Sequence, residues 1–121
     1  MAAGKLNLKI EQGATFKKLL QWKAGDPSVP VDITGYQIRM QIRSELTATT
    51  TLLDLNTTNN RIVIIGAPLG QFELRLTATE TAALTFENGV YDLEMVAPDG
   101  PDNTVTRLLA GSVSVSPEVT R

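Results

Sequence analysis

The sequence predicts an all-β fold, an antiparallel sandwich with one short helix near residues 78–84. Three observations carry that expectation. Apolar and polar residues alternate through residues 36–43 and again through 72–77, the two-residue period of a strand with one buried face. Clusters of turn-forming residues recur roughly every ten residues, the spacing of sandwiches and barrels. Finally, Glu87-Asn88-Gly89-Val90-Tyr91 leads into Asp92-Leu93-Glu94-Met95-Val96, which reads as a turn climbing into a central strand.

Leu6, Leu8 and Ile10 alternate with Asn7, Lys9 and Glu11 and define the first strand, after which Gly13 permits a turn or bulge. In residues 16–23, Phe16, Leu20 and Trp22 fall on one parity and Lys17, Leu19 and Gln21 on the other. A second strand is expected there, with a helix as the competing reading. Gly25-Asp26-Pro27-Ser28-Val29-Pro30 is dense in turn formers, and each proline lacks a ladder donor, so this segment is expected to be a loop. Val31-Asp32-Ile33-Thr34-Gly35 then leads into Tyr36, Ile38, Met40 and Ile42, alternating strictly with Gln37, Arg39, Gln41 and Arg43. This is the cleanest strand in the chain.

Residues 45–51 are polar and threonine-rich, a loop or weak edge strand, and Leu53 and Leu55 suggest a short paired segment ended by Thr57-Thr58-Asn59-Asn60. The β-branched run within 61–65 is expected to be a strand covered on both faces, broken by Gly66-Ala67-Pro68-Leu69-Gly70. Phe72, Leu74 and Leu76 form the next strand. Thr77-Ala78-Thr79-Glu80 fits a capping box, with Ala82, Ala83 and Leu84 as the apolar side of one or two helical turns. Tyr91, Leu93 and Met95 share a face of the following strand, Asp99-Gly100-Pro101-Asp102-Asn103 turns it, and residues 104–116 return. Leu109, Gly111, Val113 and Val115 share a face there, and Arg107-Leu108-Leu109 breaks the alternation as a bulge does. A tyrosine at the start of the penultimate strand, its ring inward and its hydroxyl bonded to backbone a few residues upstream, is a feature of immunoglobulin-like sandwiches. Tyr91 fits that place. The fold class expected is therefore an immunoglobulin-like antiparallel β-sandwich.

At 121 residues the chain has the size of one domain, 1–121, able to bury a core without disulfides or a metal, with termini 1–4 and 117–121 loose or docked on a partner. Hydrophobic residues at 42% and charged residues at 20% exclude wholesale disorder. A net charge of −2 with scattered basic residues gives no footprint for nucleic acid. No segment approaches the ~20 apolar residues of a membrane span, and the opening Met1-Ala2-Ala3-Gly4-Lys5 lacks the apolar run of a secretion signal, so neither membrane nor export is expected.

With no histidine and no cysteine, Ser-His-Asp triads, thiol chemistry, imidazole acid–base catalysis and zinc sites built on those ligands are excluded. Glycines are spread singly, with no phosphate-cradling loop. Asp92 and Glu94 lie two apart and share a strand face, which in principle suits a cation or carboxylate-pair chemistry. A solvated face salted by nearby arginines or lysines is the simpler reading. Asp99, Asp102 and Asn103 offer oxygen ligands for calcium, but their spacing misses the EF-hand loop and turn chemistry accounts for them. Arg39 and Arg43, with Gln37 and Gln41, and Arg75 on another strand form outward faces that in principle suit an acidic partner, but an ordinary solvent face is the simpler reading, since alternation alone places Arg and Gln outward. Trp22 reads as core rather than contact, and aromatics at 5% give no stacking platform for sugar or single-stranded nucleic acid. No catalytic, metal or cofactor residue is assigned, and the expectation is a protein that is not an enzyme.

Gln12-Gly13-Ala14-Thr15-Phe16, then Asp32-Ile33-Thr34-Gly35-Tyr36, then the alternating strand 37–43 and the ending from Tyr91-Asp92-Leu93-Glu94 through Thr106-Arg107-Leu108-Leu109-Ala110-Gly111 to Arg121, follow an order found elsewhere. Over nearly its whole length the chain resembles small structural proteins of tailed bacteriophages, in particular those similar to the immunoglobulin-like N-terminal domain of phage baseplate upper proteins. The resemblance implies a virion component of tail, baseplate, collar or head–tail junction, assembled in the host cytoplasm. It implies contacts with other phage structural proteins, a homo-oligomer in the particle, and no catalytic residues. Without the long receptor-binding extension of baseplate upper proteins, an adaptor or accessory is expected rather than a host-recognition protein. A capsid decoration protein, or a non-viral protein- or carbohydrate-binding module, is the alternative.

Overall fold

A computed structural model of the chain describes residues 3–100 and 103–120. Two sheets face each other across a single apolar core, making an all-β sandwich with one short helix. The larger sheet contains β1 (Gly4–Lys5), β2 (Leu8–Glu11), β6 (Gln37–Arg43), β7 (Leu53–Asn56), β10 (Asn88–Val96) and β11 (Val105–Ser116). Its order is β1-β11-β10-β6-β7, with β2 continuing the N-terminal segment along β11. The smaller sheet has β9 (Gln71–Leu76) between β3 (Phe16–Gln21) and β8 (Ile62–Gly66), and β4 (Lys23–Ala24) pairs with β5 (Val29–Pro30) in a separate two-residue ladder.

Period-two patterning decides which side chains meet. Ile38, Met40 and Ile42 of β6, Tyr91, Leu93 and Met95 of β10, and Val113 and Val115 of β11 point inward to meet Ile62, Phe72, Leu74 and Leu76 of the smaller sheet. Ile33 and Leu84, both in connections, close the core. The bulge expected in the last strand is present: Leu93 pairs with Leu109 while Glu94 pairs with Arg107, leaving Leu108 as the extra residue. Gly13 turns the chain at φ +84°. The capping box is complete, with Thr77 Oγ1 accepting from the Glu80 N–H at 3.1 Å and Glu80 Oε1 accepting from the Thr77 N–H at 2.8 Å.

Several expectations are corrected. All strand pairs are antiparallel except those of the N-terminal segment, since β1 and β2 run parallel to β11. β8 is an edge strand covered on one face only; Ile65, skipped by a register shift against β9, is exposed. A short β-branched run cannot by itself distinguish an edge from a centre. Of the two readings of residues 45–51 the loop holds, whereas Val29 and Pro30, read as loop, join a two-residue ladder where little hydrogen bonding is asked of a proline. The helix, α1, spans Ala78–Ala82, within the one or two turns expected, but its apolar side differs. Ala82 and Ala83 are exposed, and the helix buries Thr81 instead, because the Thr81 hydroxyl finds polar partners: it donates toward the Ala14 carbonyl at 2.8 Å and accepts from the Gly13 N–H at 3.0 Å. Near the termini, Gly4 pairs with Leu109 and the Glu118 N–H donates to Gln12 Oε1 at 2.9 Å, while Val119 is exposed. Met1, Ala2, Arg121 and the Pro101-Asp102 part of the expected turn lie outside the described residues.

Tyr91 is buried as expected, but its role is not the local corner. It stands within β10, and its hydroxyl donates to the carbonyl of Leu6, 85 residues away, at 2.5 Å. Gly111 makes this possible. It pairs with Tyr91 on the adjacent strand, and a Cβ there would lie deep inside contact distance of the Leu6 carbonyl. The N-terminal segment passes over this bare position between β1 and β2, held by Leu6 N–H to Ala110 O at 3.1 Å and by Ser112 N–H to Asn7 Oδ1 at 3.1 Å. Replacing Tyr91 by Phe is expected to cost about 1–2 kcal/mol, the lost bond plus a buried carbonyl left without a donor; thermal unfolding reads this directly.

Burial pushes the Tyr91 hydroxyl up from 10.0 to about 12. The folded state therefore holds this proton more tightly than the unfolded chain does. The associated stability is present below pH 10 and is lost as pH rises toward 12. Denaturant titrations of the wild type and of Tyr91→Phe across that window should show the wild type losing its advantage over the variant; a constant difference would argue against a buried hydroxyl.

Candidate functional site

The outer face of the larger sheet gathers most of the polar residues singled out in the sequence. Outward alternation places Arg39 of β6 opposite Glu94 of β10, Gln41 opposite Asp92 and Asp54, and Arg43 opposite Val90. Arg39 Nε donates to Glu94 Oε1 at 2.7 Å, Arg107 Nε lies 3.5 Å from Asp92 Oδ2, and Arg43 donates to Gln41 Oε1 at 2.8 Å and to the Ala48 carbonyl at 3.1 Å. Asp92 and Glu94 do share a face, but each is answered by its own arginine. More than half of the Arg39 and Arg107 side-chain surface is in water, so each pair contributes about 0–1 kcal/mol. Such pairs set charge and register and leave no shared carboxylate cage.

Beside this face the loop of residues 44–52 forms one wall of an open groove of about 450 Å³, lined by Arg43, Leu46, Val90, Asp92, Arg107 and Ala110 among others. Leu46, 88% exposed, and Val90 give it an apolar floor and rim that the sequence did not single out. An exposed leucine within a polar, threonine-rich run was the available signal.

At the hairpin end, Asp99 is a turn residue. Its Oδ2 accepts from the Thr104 hydroxyl at 2.5 Å and its Oδ1 from the Thr104 N–H at 2.7 Å, and these bonds hold its carboxyl below the ordinary carboxylate range. Asn103 is exposed, and Asp102, the remaining calcium candidate, lies outside the described residues. The Thr34 hydroxyl and N–H hold Asp32 low in the same way. Glu80 is held low chiefly by the Thr77 N–H, with Arg61 adding to it through a 2.5 Å ion pair. Among the described residues no three acidic groups converge as a metal ion would need, and no helix is long and apolar enough to cross a membrane.

Trp22 is partly buried against the core and meets Tyr36 edge to face, 5.9 Å between centroids at 79°, so both rings serve packing. Arg75 lies on the outer face of the smaller sheet, paired with Glu73 at 2.5 Å. On that sheet the outer sides of β3 and β8 meet no further strand among the described residues, and each carries an exposed apolar residue, Leu19 on β3 and Ile65 on β8.

The fold defines a class, an all-β sandwich with a polar outer face on the larger sheet and two open strand edges on the smaller one among the described residues. Beyond the class, no protein-family model matches the chain and no curated protein matches it.

Proposed function

We propose that the protein is a non-catalytic structural component of a tailed-phage virion, acting through protein–protein contacts along its strand edges and polar sheet face. The observation that carries the contact role is the pair of open edges on the smaller sheet, each with backbone donors and acceptors and an exposed apolar side chain, Leu19 or Ile65. Open edges are templates for another chain, and natural sandwiches cover, blunt or use them. The ordered resemblance from Gln12-Gly13 through Asp32-Ile33-Thr34-Gly35-Tyr36 to the last hairpin supports the placement in a tail, baseplate, collar or head–tail junction. Paired arginines and carboxylates support contact rather than acid–base chemistry, since each group is already committed to its partner.

In a particle, many symmetric copies multiply modest contacts, so edges of a few residues suffice for firm attachment. Mass spectrometry of gradient-purified particles tests the proposal: peptides of this chain should persist at fixed stoichiometry with capsid and tail proteins through repeated banding. Recovery of the protein only from the soluble fraction of the lysate would overturn it in favour of a non-viral binding module. A cryo-EM map with this sandwich on the head rather than the tail would favour the decoration reading.

A further inference from the structure

The five lysines are not distributed like the arginines. All lie in the first 23 residues, with Glu11 as the single carboxylate among them, whereas the other twelve carboxylates share the remainder with six arginines. Every ion pair among the described residues uses an arginine, and Lys9, Lys17 and Lys18 stand exposed with no carboxylate of a described residue within 4.0 Å. Folding brings these three together along a groove of about 380 Å³ at the open rim of the sandwich, beside Glu11, Thr15 and Phe16.

The groove runs beside an unpaired strand. Phe16, Lys18 and Leu20 of β3 face Leu76, Leu74 and Phe72 of β9, and the Trp22 N–H donates to Gly70 O at 2.9 Å, so the even-numbered residues bond to β9. In an antiparallel pair the intervening residues direct their N–H and C=O groups the other way. Lys17, Leu19 and Gln21 therefore present their backbone outward, and no other strand meets them among the described residues.

We infer that the β3 edge is a docking site for an extended, acidic segment of a partner protein, which adds as a strand beside Lys17–Gln21 with its carboxylates against Lys9, Lys17 and Lys18. Charge selects this occupant. A second copy of β3 would bring like charges together across the new pair, which disfavours self-pairing. Lysines also serve to keep edges unpaired, but an edge built only to repel would not hold Leu19, 56% exposed, at its centre beside open backbone groups. Leu19 supplies apolar contact and the ladder supplies hydrogen bonds, while the lysines filter incoming strands by charge.

The inference rests on reading strand edges as the working parts, and not on membership of a virion; particle composition decides the latter, whatever the outcome here. The test is an NMR titration of the isotope-labelled full chain with a blocked synthetic peptide of alternating glutamate and valine, about ten residues long, and with its lysine–valine counterpart. The acidic peptide should shift the amide signals of Lys17, Leu19 and Gln21 and slow their hydrogen exchange. Lys9→Gln/Lys17→Gln/Lys18→Gln should weaken binding about tenfold or more, and so should about 0.5 M salt on the unmodified chain. Equal binding of the lysine peptide, shifts confined to other strands, or no binding at all would overturn the inference. So would sedimentation showing that the chain pairs with itself through β3.

Discussion

Gly111→Ala is expected to destabilise the domain by roughly 3 kcal/mol and to release its N-terminal strand before the rest unfolds. The added methyl would occupy the space taken by the Leu6 carbonyl, with Asn7 Oδ1 only 3.1 Å away, so the chain at Leu6 must move. Backbone cannot give way as the end of a flexible side chain can, and overpacking of this kind costs about 1–3 kcal/mol. Moving Leu6 also breaks the Tyr91 hydroxyl bond, adding about 1 kcal/mol. The regional signature is the sharper test. Amides of β2, which pair with Val113–Ser116, should exchange much faster in the variant while those of β6 and β10 keep their order of protection. Uniform loss across both sheets would mean that the N-terminal segment is not separately anchored at this position.

This anchor shows what the amino-acid order could and could not reveal. A tyrosine in a strand and a glycine in a strand were both visible, but their partnership depends on a parallel pairing between the two ends of the chain. Nothing in local periodicity reports which distant strand lies alongside. Elements whose cause is local were legible: the alternation of Gln37–Arg43, the capping box at Thr77, and the bulge at Leu108 all follow from neighbours within a few residues. Asp92 and Glu94 were legible as one face, because pleating alone decides that, and the arginines that answer them were foreseeable in kind. Edges were not legible. Val63 and Ile65 belong to a strand with one side open, yet their β-branched side chains suit a covered strand equally well. The lysine-lined rim is not legible in the order of residues, because Lys9 of β2 and the adjacent Lys17 and Lys18 of β3 line one groove only once the chain is folded.

Phe72→Ala is expected to have the largest effect of any single substitution, about 3–5 kcal/mol, because it empties the middle of the smaller sheet. Phe72 is 0% exposed on the central strand β9, opposite Leu20 of β3 and Ile64 of β8, and faces the core shared with the larger sheet. Removing a buried ring forfeits its transfer free energy and leaves a cavity that neighbours held by two ladders fill only in part. Against the ~5–15 kcal/mol that stabilises a typical domain, this is a large fraction. It should lower the melting midpoint by about 10–20 °C in calorimetry. Leu19→Ala is the matched control: the same sheet, an apolar side chain, but the outer parity. Burial, not hydrophobicity, is then the variable, and Leu19→Ala should change stability by no more than about 0.5 kcal/mol. If the two substitutions proved equally costly, Leu19 would be covered in solution and the β3 edge would already be occupied, so the comparison measures both the core and the openness of the rim.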